Sequence, residues 1–279
     1  MSHHVGESKE QNGGRWLLIH VLHVMNTGGV ASVIAKYSDR TGLTKSTVIT
    51  REALDPAKVT TFGKAYPDGR YRFALRTLLA ATRVDLVHIH SWQNSIPWIK
   101  RLARRPVVLT FHGSDIQSTG WQADGGWVEA DAVSVVNHYL LDEYVTPEHV
   151  RVILNAPDTD LFTPEGQEHK LPAVTLATGA DEEAKELAKS MNLELDIKGR
   201  RAFSEMPGML GSYEWYVDVR KSPITKGIIP AISKIAMEAL ACGTKVLKWD
   251  GGILETLPEE NRPEIMVQAY QKLYIEVLG

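Results

Sequence analysis

The chain has 279 residues, of which 43% are hydrophobic and 23% charged, with a formal net charge of −3. This balance is typical of a globular protein of one or two domains and excludes the global basic field of a nucleic-acid-binding protein. Cys242 is the only cysteine, which excludes an internal disulfide and fits a reducing cytoplasm. No apolar run approaches the roughly 18 residues of a membrane span, and we expect residues 1–14 to form a disordered leader.

From residue 15 onward, short apolar runs alternate with amphipathic stretches. The runs that predict strands in the first half are RWLLIHVLHV, KSTVIT, DLVHIH, PVVLTFH, DAVSVV and VRVIL. The predicted helices between them are TGGVASVIAKYSDR, YRFALRTLLAATR, SIPWIKRLARR and HYLLDEYV. Continuous Val/Ile/Leu strands that alternate with helices favour a parallel sheet covered on both faces.

Residues 155–172 are rich in Pro, Asp and Gly and predict an interdomain linker. The alternation then restarts with the strands AVTLAT, LELDI, EWYVDV and TKVLKW and the helices DEEAKELAKSM and SKIAMEALAC. We therefore predict an α/β protein with two Rossmann-like, doubly wound parallel-sheet domains that face a cleft. The first covers residues 15–160 and the second 170–260, and residues 262–279 form a helix that crosses back to the first domain.

Ligands of open parallel sheets bind beyond the carboxyl ends of the strands. After the first strand, Gly28 and Gly29 precede a helix start, so they could cradle a phosphate or simply form a tight turn. This turn lacks the G-x-G-x-x-G spacing of a dinucleotide-binding fold, which disfavours a dehydrogenase.

Histidines follow or end two further strands. His88 and His90 are two residues apart on one strand and so point the same way. They could ligate a metal, but no third ligand is evident; a structural role is favoured for His88 and a cleft position for His90. His112, at the end of the next strand, suits hydrogen bonding or proton transfer, whereas Asp115 could do the same or merely cap the turn.

Glu238 is a lone carboxylate in an apolar helix, where an uncompensated charge costs roughly several kcal/mol. Ser233 can cap this helix, and Lys234 adds a positive charge at its anion-binding amino end. Glu238 could then reach the ribose hydroxyls of a nucleotide, or it could form a buried pair with an arginine.

Basic clusters in IKRLARR and RFALRTLLAATR could contact anionic lipid, or they could form a solvated face. A cytoplasmic protein with peripheral membrane contact is therefore an expectation that the sequence leaves open.

Several motifs together resemble those of the retaining glycosyltransferases of family 4, which have two Rossmann domains in the GT-B arrangement. They are GGV, DLVHIHSW, LTFHGSD, ADAVSVVN, VRVILNAPDTDLF and MEALACGTKVL…GGILE, and they span about residues 19–255. The resemblance implies transfer of a sugar from a nucleotide-diphosphate sugar to an acceptor, with retention of configuration. The acceptor would be a glycan, a lipid or a small molecule, and no metal or other cofactor is implied.

The resemblance also implies roles for individual residues. His112 would lie beside the transferred sugar as the catalytic residue. The donor side would comprise Gly28, Gly29, Gly199, Arg200, Arg220, Ser233, Lys234 and Glu238. The acceptor side would comprise His90, Ser91, Trp92, Asn94 and Asp115.

The sequence departs from the family pattern in two places. Pro230 stands where the family has the first of two carboxylates, and a proline side chain cannot bind a sugar hydroxyl. The strand and loop whose Arg and Lys clamp the donor phosphates have no counterpart, which predicts a shortened second domain; Arg220, Lys221 or Lys234 could substitute. Two functions therefore stay open: an active glycosyltransferase, or a catalytically weakened nucleotide- or sugar-binding or regulatory protein.

Overall fold

The computed structural model describes residues 18–113, 115–116, 121, 125–142, 150–199, 201–222 and 224–279. The predicted leader, residues 1–14, and the predicted donor residue Arg200 lie outside these ranges. No helix among the described residues is long and apolar enough to cross a membrane.

The first lobe is built on a seven-stranded sheet in the order β3-β2-β1-β4-β5-β6-β7, and all neighbouring strands are parallel. Its strands are β1 Ile19–Val24, β2 Thr44–Arg51, β3 Lys64–Tyr66, β4 Leu86–His90, β5 Val107–Phe111, β6 Ala132–Val135 and β7 Val150–Val152. Its helices are α1 Val30–Arg40, α2 Arg70–Ala81, α3 Ile96–Ala103 and α4 Tyr139–Asp142. The strand order reverses between β1 and β4, so the switch point that binds ligands in such sheets lies at their carboxyl ends.

The second lobe contains a five-stranded sheet in the order β12-β11-β10-β8-β9. Its strands are β8 Leu171–Leu176, β9 Leu195–Lys198, β10 Tyr213–Asp218, β11 Lys245–Lys248 and β12 Ile253–Leu254. Its helices are α5 Asp181–Ser190, α6 Met206–Gly211 and α7 Lys234–Ala241. β12 runs antiparallel to β11, so this sheet is mixed at one edge rather than wholly parallel. The predicted α/β class with two sheet-centred lobes is confirmed.

The C-terminal helix α8, Pro263–Leu278, packs on the first lobe rather than on the second. Its buried Met266, Tyr270 and Tyr274 join the apolar cluster formed by Val30 and Ile34 of α1. The chain therefore returns to the lobe in which it began, and the two lobes are joined twice.

The linker after β7 is tied to α1 by ion pairs. Lys36 Nζ lies 2.7 Å and 2.9 Å from the two carboxylate oxygens of Asp158, which is only 2% exposed. Tyr37 Oη donates to the same carboxylate at 3.2 Å, and Arg40 pairs with the more exposed Asp160. These contacts hold the linker, and with it the start of the second lobe, against the first.

Candidate active site in the cleft between the lobes

A cavity of about 420 Å³ lies between the lobes, where the carboxyl ends of strands from both sheets meet. Its first-lobe lining comprises His112, Val136, Asn137, His138, Tyr139, Leu140, Leu154 and Asn155. Its remaining lining comprises Arg220, Pro230, Ala231, Ile232, Lys234, Met237, Trp249, Glu260 and Asn261. The volume is in the range of small-molecule sites, and the position is the one that open α/β sheets use for ligands.

The cavity wall carries two cations from the second lobe. Arg220 follows β10, and its guanidinium Nη2 donates to the Ala231 carbonyl oxygen at 2.6 Å. Its Nε lies 3.5 Å from a carboxylate oxygen of the buried Asp218, yet the Arg220 side chain remains 26% exposed. The second cation is Lys234, and the acid in the described lining is the exposed Glu260. This balance favours a ligand with negative charge.

Helix α7 delivers Lys234 to the cavity. Ser233 caps the helix as its sequence position predicts, because its hydroxyl accepts from the Ala236 amide at 2.9 Å. Lys234 Nζ lies 3.1 Å from Glu238 Oε1, one turn further along, and donates to the Gly28 carbonyl oxygen of the first lobe. Lys234 therefore bridges the two lobes beside the cavity.

Glu238 lies behind this lysine. It is 3% exposed and does not line the cavity. Burial raises the pKa of its carboxyl group, and the neighbouring Lys234 ammonium opposes that rise. Glu238 therefore pairs with a lysine of its own helix. It neither pairs with an arginine nor faces the cleft.

The turn before α1 places two glycines in the left-handed region, with φ of 59° for Gly28 and 78° for Gly29. A Cβ on Gly29 would lie only 3.2 Å from both Lys234 Nζ and the Val59 carbonyl oxygen. This close approach explains why position 29 needs a glycine. Neither glycine lines the cavity. The turn contacts Lys234, and Lys234 lines the cavity.

Three imidazoles form a chain that ends at the cavity. His112 Nε2 lies 3.1 Å from His90 Nδ1, and His90 Nε2 lies 3.3 Å from His23 Nδ1. The two terminal nitrogens, His112 Nδ1 and His23 Nε2, are buried and have no hydrogen-bond partner among the described residues. His112 lines the cavity, whereas His23 and His90 are fully buried.

Burial keeps these rings neutral. It lowers the pKa of His23 to about 3 and that of His112 to about 4, although Asp115 partly opposes the shift at His112. Burial, followed by the neighbouring imidazoles, lowers the pKa values of His88 and His90 well below the usual value. At neutral pH each ring therefore has one donor and one acceptor nitrogen.

His23, His88 and His90 place ring nitrogens within 4.8 Å of one another, so His23 supplies the third metal-ligand candidate that the sequence did not reveal. It does so because β1 pairs with β4 and sets His23 directly opposite His88. However, both His88 nitrogens already have hydrogen-bond partners, Tyr274 Oη at 2.7 Å and Thr110 Oγ1 at 2.6 Å. Hydrogen bonding accounts for both nitrogens of His88 and of His90 but not for His23 Nε2, and the expectation that the site needs no metal stays a prediction.

The backbone is strained where β1 and β4 end. Met25 and Ser91 both have φ of 69°, a value unusual for residues with a side chain. The Ser91 hydroxyl lies 3.0 Å from that of Thr27, which joins the two strand ends. Trp92 packs between two aromatic rings at 5.8 Å and 5.7 Å, and Asn94 is exposed. None of these predicted acceptor-side residues lines the cavity.

Asp115 stabilises the turn that holds His112. Its two carboxylate oxygens accept from the His112 amide at 3.0 Å and 2.9 Å, and one also accepts from the Ile116 amide at 2.9 Å. These bonds match the capping role that the sequence left open, and Asp115 is absent from the cavity wall.

Among the predicted site residues, the cavity brings together His112, Arg220 and Lys234. Gly199 is exposed beyond β9, and Lys221 pairs with Glu183 at 2.5 Å; neither lines the cavity.

The sequence analysis missed several polar lining residues. Two of them, Asn137 and Trp249, follow the ends of β6 and β11. The strand-end rule that selected His112 would have found both. Asn261, which also donates to the Asn155 carbonyl oxygen at 2.9 Å, ends the short 3-10 helix Glu259–Asn261, which follows no strand end.

Two lobes with an inter-lobe cavity at their strand ends define a protein of the GT-B class. Residues 30–161 match the family model described as Glycosyltransferase Family 4, which confirms the family resemblance over most of the first lobe. A comparison with curated proteins gave no match.

One of two similar solved structures supports the fold. AviGT4, a glycosyltransferase involved in avilamycin A biosynthesis, aligns with a TM-score of 0.57 at 10% identity, covering 94% of this chain and 93% of its own. HepE of Anabaena in complex with UDP aligns with a TM-score of 0.48 at 14% identity, covering 92% and 90%. At such identities the first likeness establishes the GT-B fold and nothing finer.

Proposed function

We propose that the protein transfers a sugar from a nucleotide-diphosphate sugar to an acceptor, with retention of configuration. One observation carries the proposal: His112, Arg220 and Lys234 converge from the two lobes on one cavity. The family match and the GT-B fold agree with a transferase. A glycan, lipid or small-molecule acceptor, and a reaction without metal or other cofactor, belong to the same proposal.

The two cations suit the leaving diphosphate. Lys234 stands at the amino end of α7, where the helix dipole also favours an anion. Arg220 is held at the wall by the Ala231 carbonyl, so little reorganisation is needed when negative charge develops on the leaving phosphate. Together they would replace the phosphate clamp that the sequence lacks. Gly28, Gly29, Gly199, Arg200 and Ser233 remain proposed donor-side residues.

His112 would lie beside the transferred sugar. In a retaining reaction of this kind the leaving phosphate helps to accept the acceptor's proton, so no protein carboxylate needs to attack the sugar. The lining contains Pro230 where the first carboxylate of the family's pair would stand. The acceptor would approach from the side of His90, Ser91, Trp92, Asn94 and Asp115.

A second candidate is a nucleotide- or sugar-binding protein with weakened catalysis. Pro230 in the cavity wall favours it, because this side chain cannot hydrogen-bond a sugar hydroxyl. The engagement of Lys234 by both Glu238 and Gly28 favours it too, since a donor would have to compete for that ammonium.

Calorimetry with UDP, GDP and ADP, followed by turnover assays with their sugars and an acceptor panel, separates the candidates. Arg220→Met should weaken nucleotide-diphosphate binding about tenfold to a hundredfold, the value of one or two charge-assisted hydrogen bonds. Lys221→Met is the matched control, because that cation pairs with Glu183 away from the cavity. Binding without turnover supports the second candidate, and no binding of any nucleotide contradicts both.

Glu238→Gln then tests the role of the buried acid. If Glu238 holds the ribose, the variant should weaken binding of the free nucleoside as well as of the diphosphate. If Glu238 only orients Lys234, nucleoside affinity should be unchanged while diphosphate affinity changes.

We also propose a cytoplasmic protein that touches membranes through α2 and α3. Tyr71, Leu75 and Leu79 form a stripe along α2 that is 88%, 58% and 55% exposed, and α2 contains arginines but no acidic residue. Flotation with phosphatidylglycerol vesicles should be lost in Leu75→Asp and retained in the control Ile253→Asp, an exposed second-lobe residue. Equal flotation with neutral phosphatidylcholine vesicles, or none with either lipid, would contradict this contact.

A further inference from the structure

We propose that the chain of imidazoles from His23 through His90 fixes His112 in the tautomer that keeps its proton on Nδ1. His112 would then meet its ligand as a hydrogen-bond donor, and His23 and His90 would act as positioning residues. The consequence for catalysis rests on the proposed function, whereas the tautomer does not.

The argument begins with the two nitrogens of His90. A neutral imidazole donates through one nitrogen and accepts through the other, and both His90 nitrogens face another imidazole. If His90 Nδ1 carries the proton, it donates to His112 Nε2, and His90 Nε2 accepts from His23 Nδ1. If His90 Nε2 carries the proton, both hydrogen bonds reverse. One proton therefore decides the tautomers of all three rings.

The two hydrogen-bond directions along the chain of imidazoles differ in which ring carries the unpaired donor. In the first, His112 Nδ1 bears a hydrogen and His23 Nε2 is a bare acceptor. In the second, His23 Nε2 bears a hydrogen inside the core, and His112 Nδ1 is bare. Both nitrogens are buried without a partner among the described residues, but only His112 lines the cavity.

An orphaned donor in a fully buried core is rarer than an orphaned acceptor. His23 is fully buried, so the second direction leaves a donor with no route to a ligand or to solvent. Of the three rings, the first direction places the unpaired donor on the ring that lines the cavity. It therefore has the lower free energy, and it puts the hydrogen of the buried Nδ1 on the one ring of the three that a ligand in the cavity would contact.

The chemical consequence is a restriction on the ligand. A neutral His112 with its hydrogen on Nδ1 cannot remove a proton through that nitrogen. Its partner must be an acceptor, such as a sugar hydroxyl oxygen or a phosphate oxygen. Of the two roles that the sequence left open for His112, hydrogen bonding is favoured over proton abstraction.

The test is long-range ¹H–¹⁵N correlation NMR of the full-length protein labelled with ¹⁵N-histidine. The His112 ring should show a protonated Nδ1 and a bare Nε2, and its signals are assigned by their loss in His112→Gln. A protonated Nε2 with a bare Nδ1 in the unaltered protein would overturn the proposal without reference to activity. One-to-one binding of Zn²⁺ that shifts the ring nitrogens of His23, His88 and His90 would overturn it too, because a metal would displace these protons.

Two variants test the positioning roles. His90→Phe removes the donor that keeps His112 Nε2 bare, so the Nε2-protonated tautomer of His112 should become populated. His90→Asn keeps an amide donor near the position of Nδ1 and should restore the single tautomer, which a merely structural role would not require. His169→Gln, in the second lobe, should leave the His112 signals unchanged. A single, unchanged His112 tautomer in His90→Phe would show that the chain does not set it.

Turnover separates this inference from the proposed function. If the protein is a transferase, His90→Phe should lower kcat about tenfold, the worth of one misdirected hydrogen bond, and His90→Asn should recover it. A correct tautomer in a protein that turns over no nucleotide sugar would reject the proposed function and leave the inference intact.

Discussion

Acidification from pH 7 to 5.5 should destabilise the protein through its four clustered histidines. The pKa values of His23 and His112 in the fold are about 3 and about 4, and those of His88 and His90 are also well below the usual value. In the unfolded chain each would titrate near 6.5, so between these values the unfolded state binds more protons. Stability must then rise with pH and fall on acidification.

The magnitude follows from proton linkage. Each ring that stays neutral in the fold contributes a loss of about 1.25 kcal/mol between pH 7 and 5.5, or about 5 kcal/mol for four. Asp218 and Glu238 have raised pKa values and act in the opposite direction, so this is an upper bound. Because domains are stable by only about 5–15 kcal/mol, unfolding should begin not far below pH 5.5.

Urea titrations followed by tryptophan fluorescence measure this directly. The free energy of unfolding should fall steadily from pH 7 to 5.5. The slope of this fall gives the number of protons taken up on unfolding, and His23→Phe should reduce that number by about one. A flat or rising profile over this interval would refute the idea that the four rings are buried and neutral.

Three further predictions concern single side chains. Lys36→Met should cost about 3 kcal/mol in a urea titration, because it leaves the buried Asp158 without its cation, whereas Arg40→Met, whose partner is exposed, should cost under about 1 kcal/mol. Equal losses would show that burial does not set the strength of these pairs. Gly29→Ala should lower the unfolding free energy by about 1–3 kcal/mol, since φ is 78° and the new methyl would lie 3.2 Å from a carbonyl oxygen; an unchanged midpoint would contradict it. Cys242, whose pKa burial raises to about 12, should react with a thiol reagent only as fast as the protein unfolds, and rapid labelling of the native state would contradict its burial.

Long buried strands were predictable because burial on both faces demands continuous Val, Ile and Leu. β5, with the sequence VVLTF and buried at every position, illustrates this, whereas the apolar residues of the equally buried β4 are interrupted by His88 and His90. β3 and β12 were not predictable from the sequence. They have three and two residues, none of which is buried, and only their pairing with a neighbouring strand defines them. α6 was not predicted, because its six residues include a proline at the second position and show no amphipathic periodicity.

The site was predictable only as far as it lies at strand ends. The rule that ligands bind at strand ends predicts His112. The hydrogen bond between His23 and His90 depends on the pairing of β1 with β4, which no local sequence pattern contains. The bridge from Lys234 to Gly28 spans 206 positions of sequence and depends on how the lobes meet. Such contacts are tertiary, so local propensity and periodicity do not determine them.

The lone acid of α7 illustrates how one residue can satisfy two demands at once. Buried carboxylates need a partner, and Glu238 finds one in Lys234, four residues earlier on the same helix face. The same lysine reaches the Gly28 turn of the first lobe, so the charge that compensates the acid also closes the gap between the lobes. An anion that enters at the amino end of α7 must therefore share or displace this ammonium. Since displacement would leave Glu238 uncompensated, sharing has the lower free energy, and ligand binding and lobe contact should depend on one side chain.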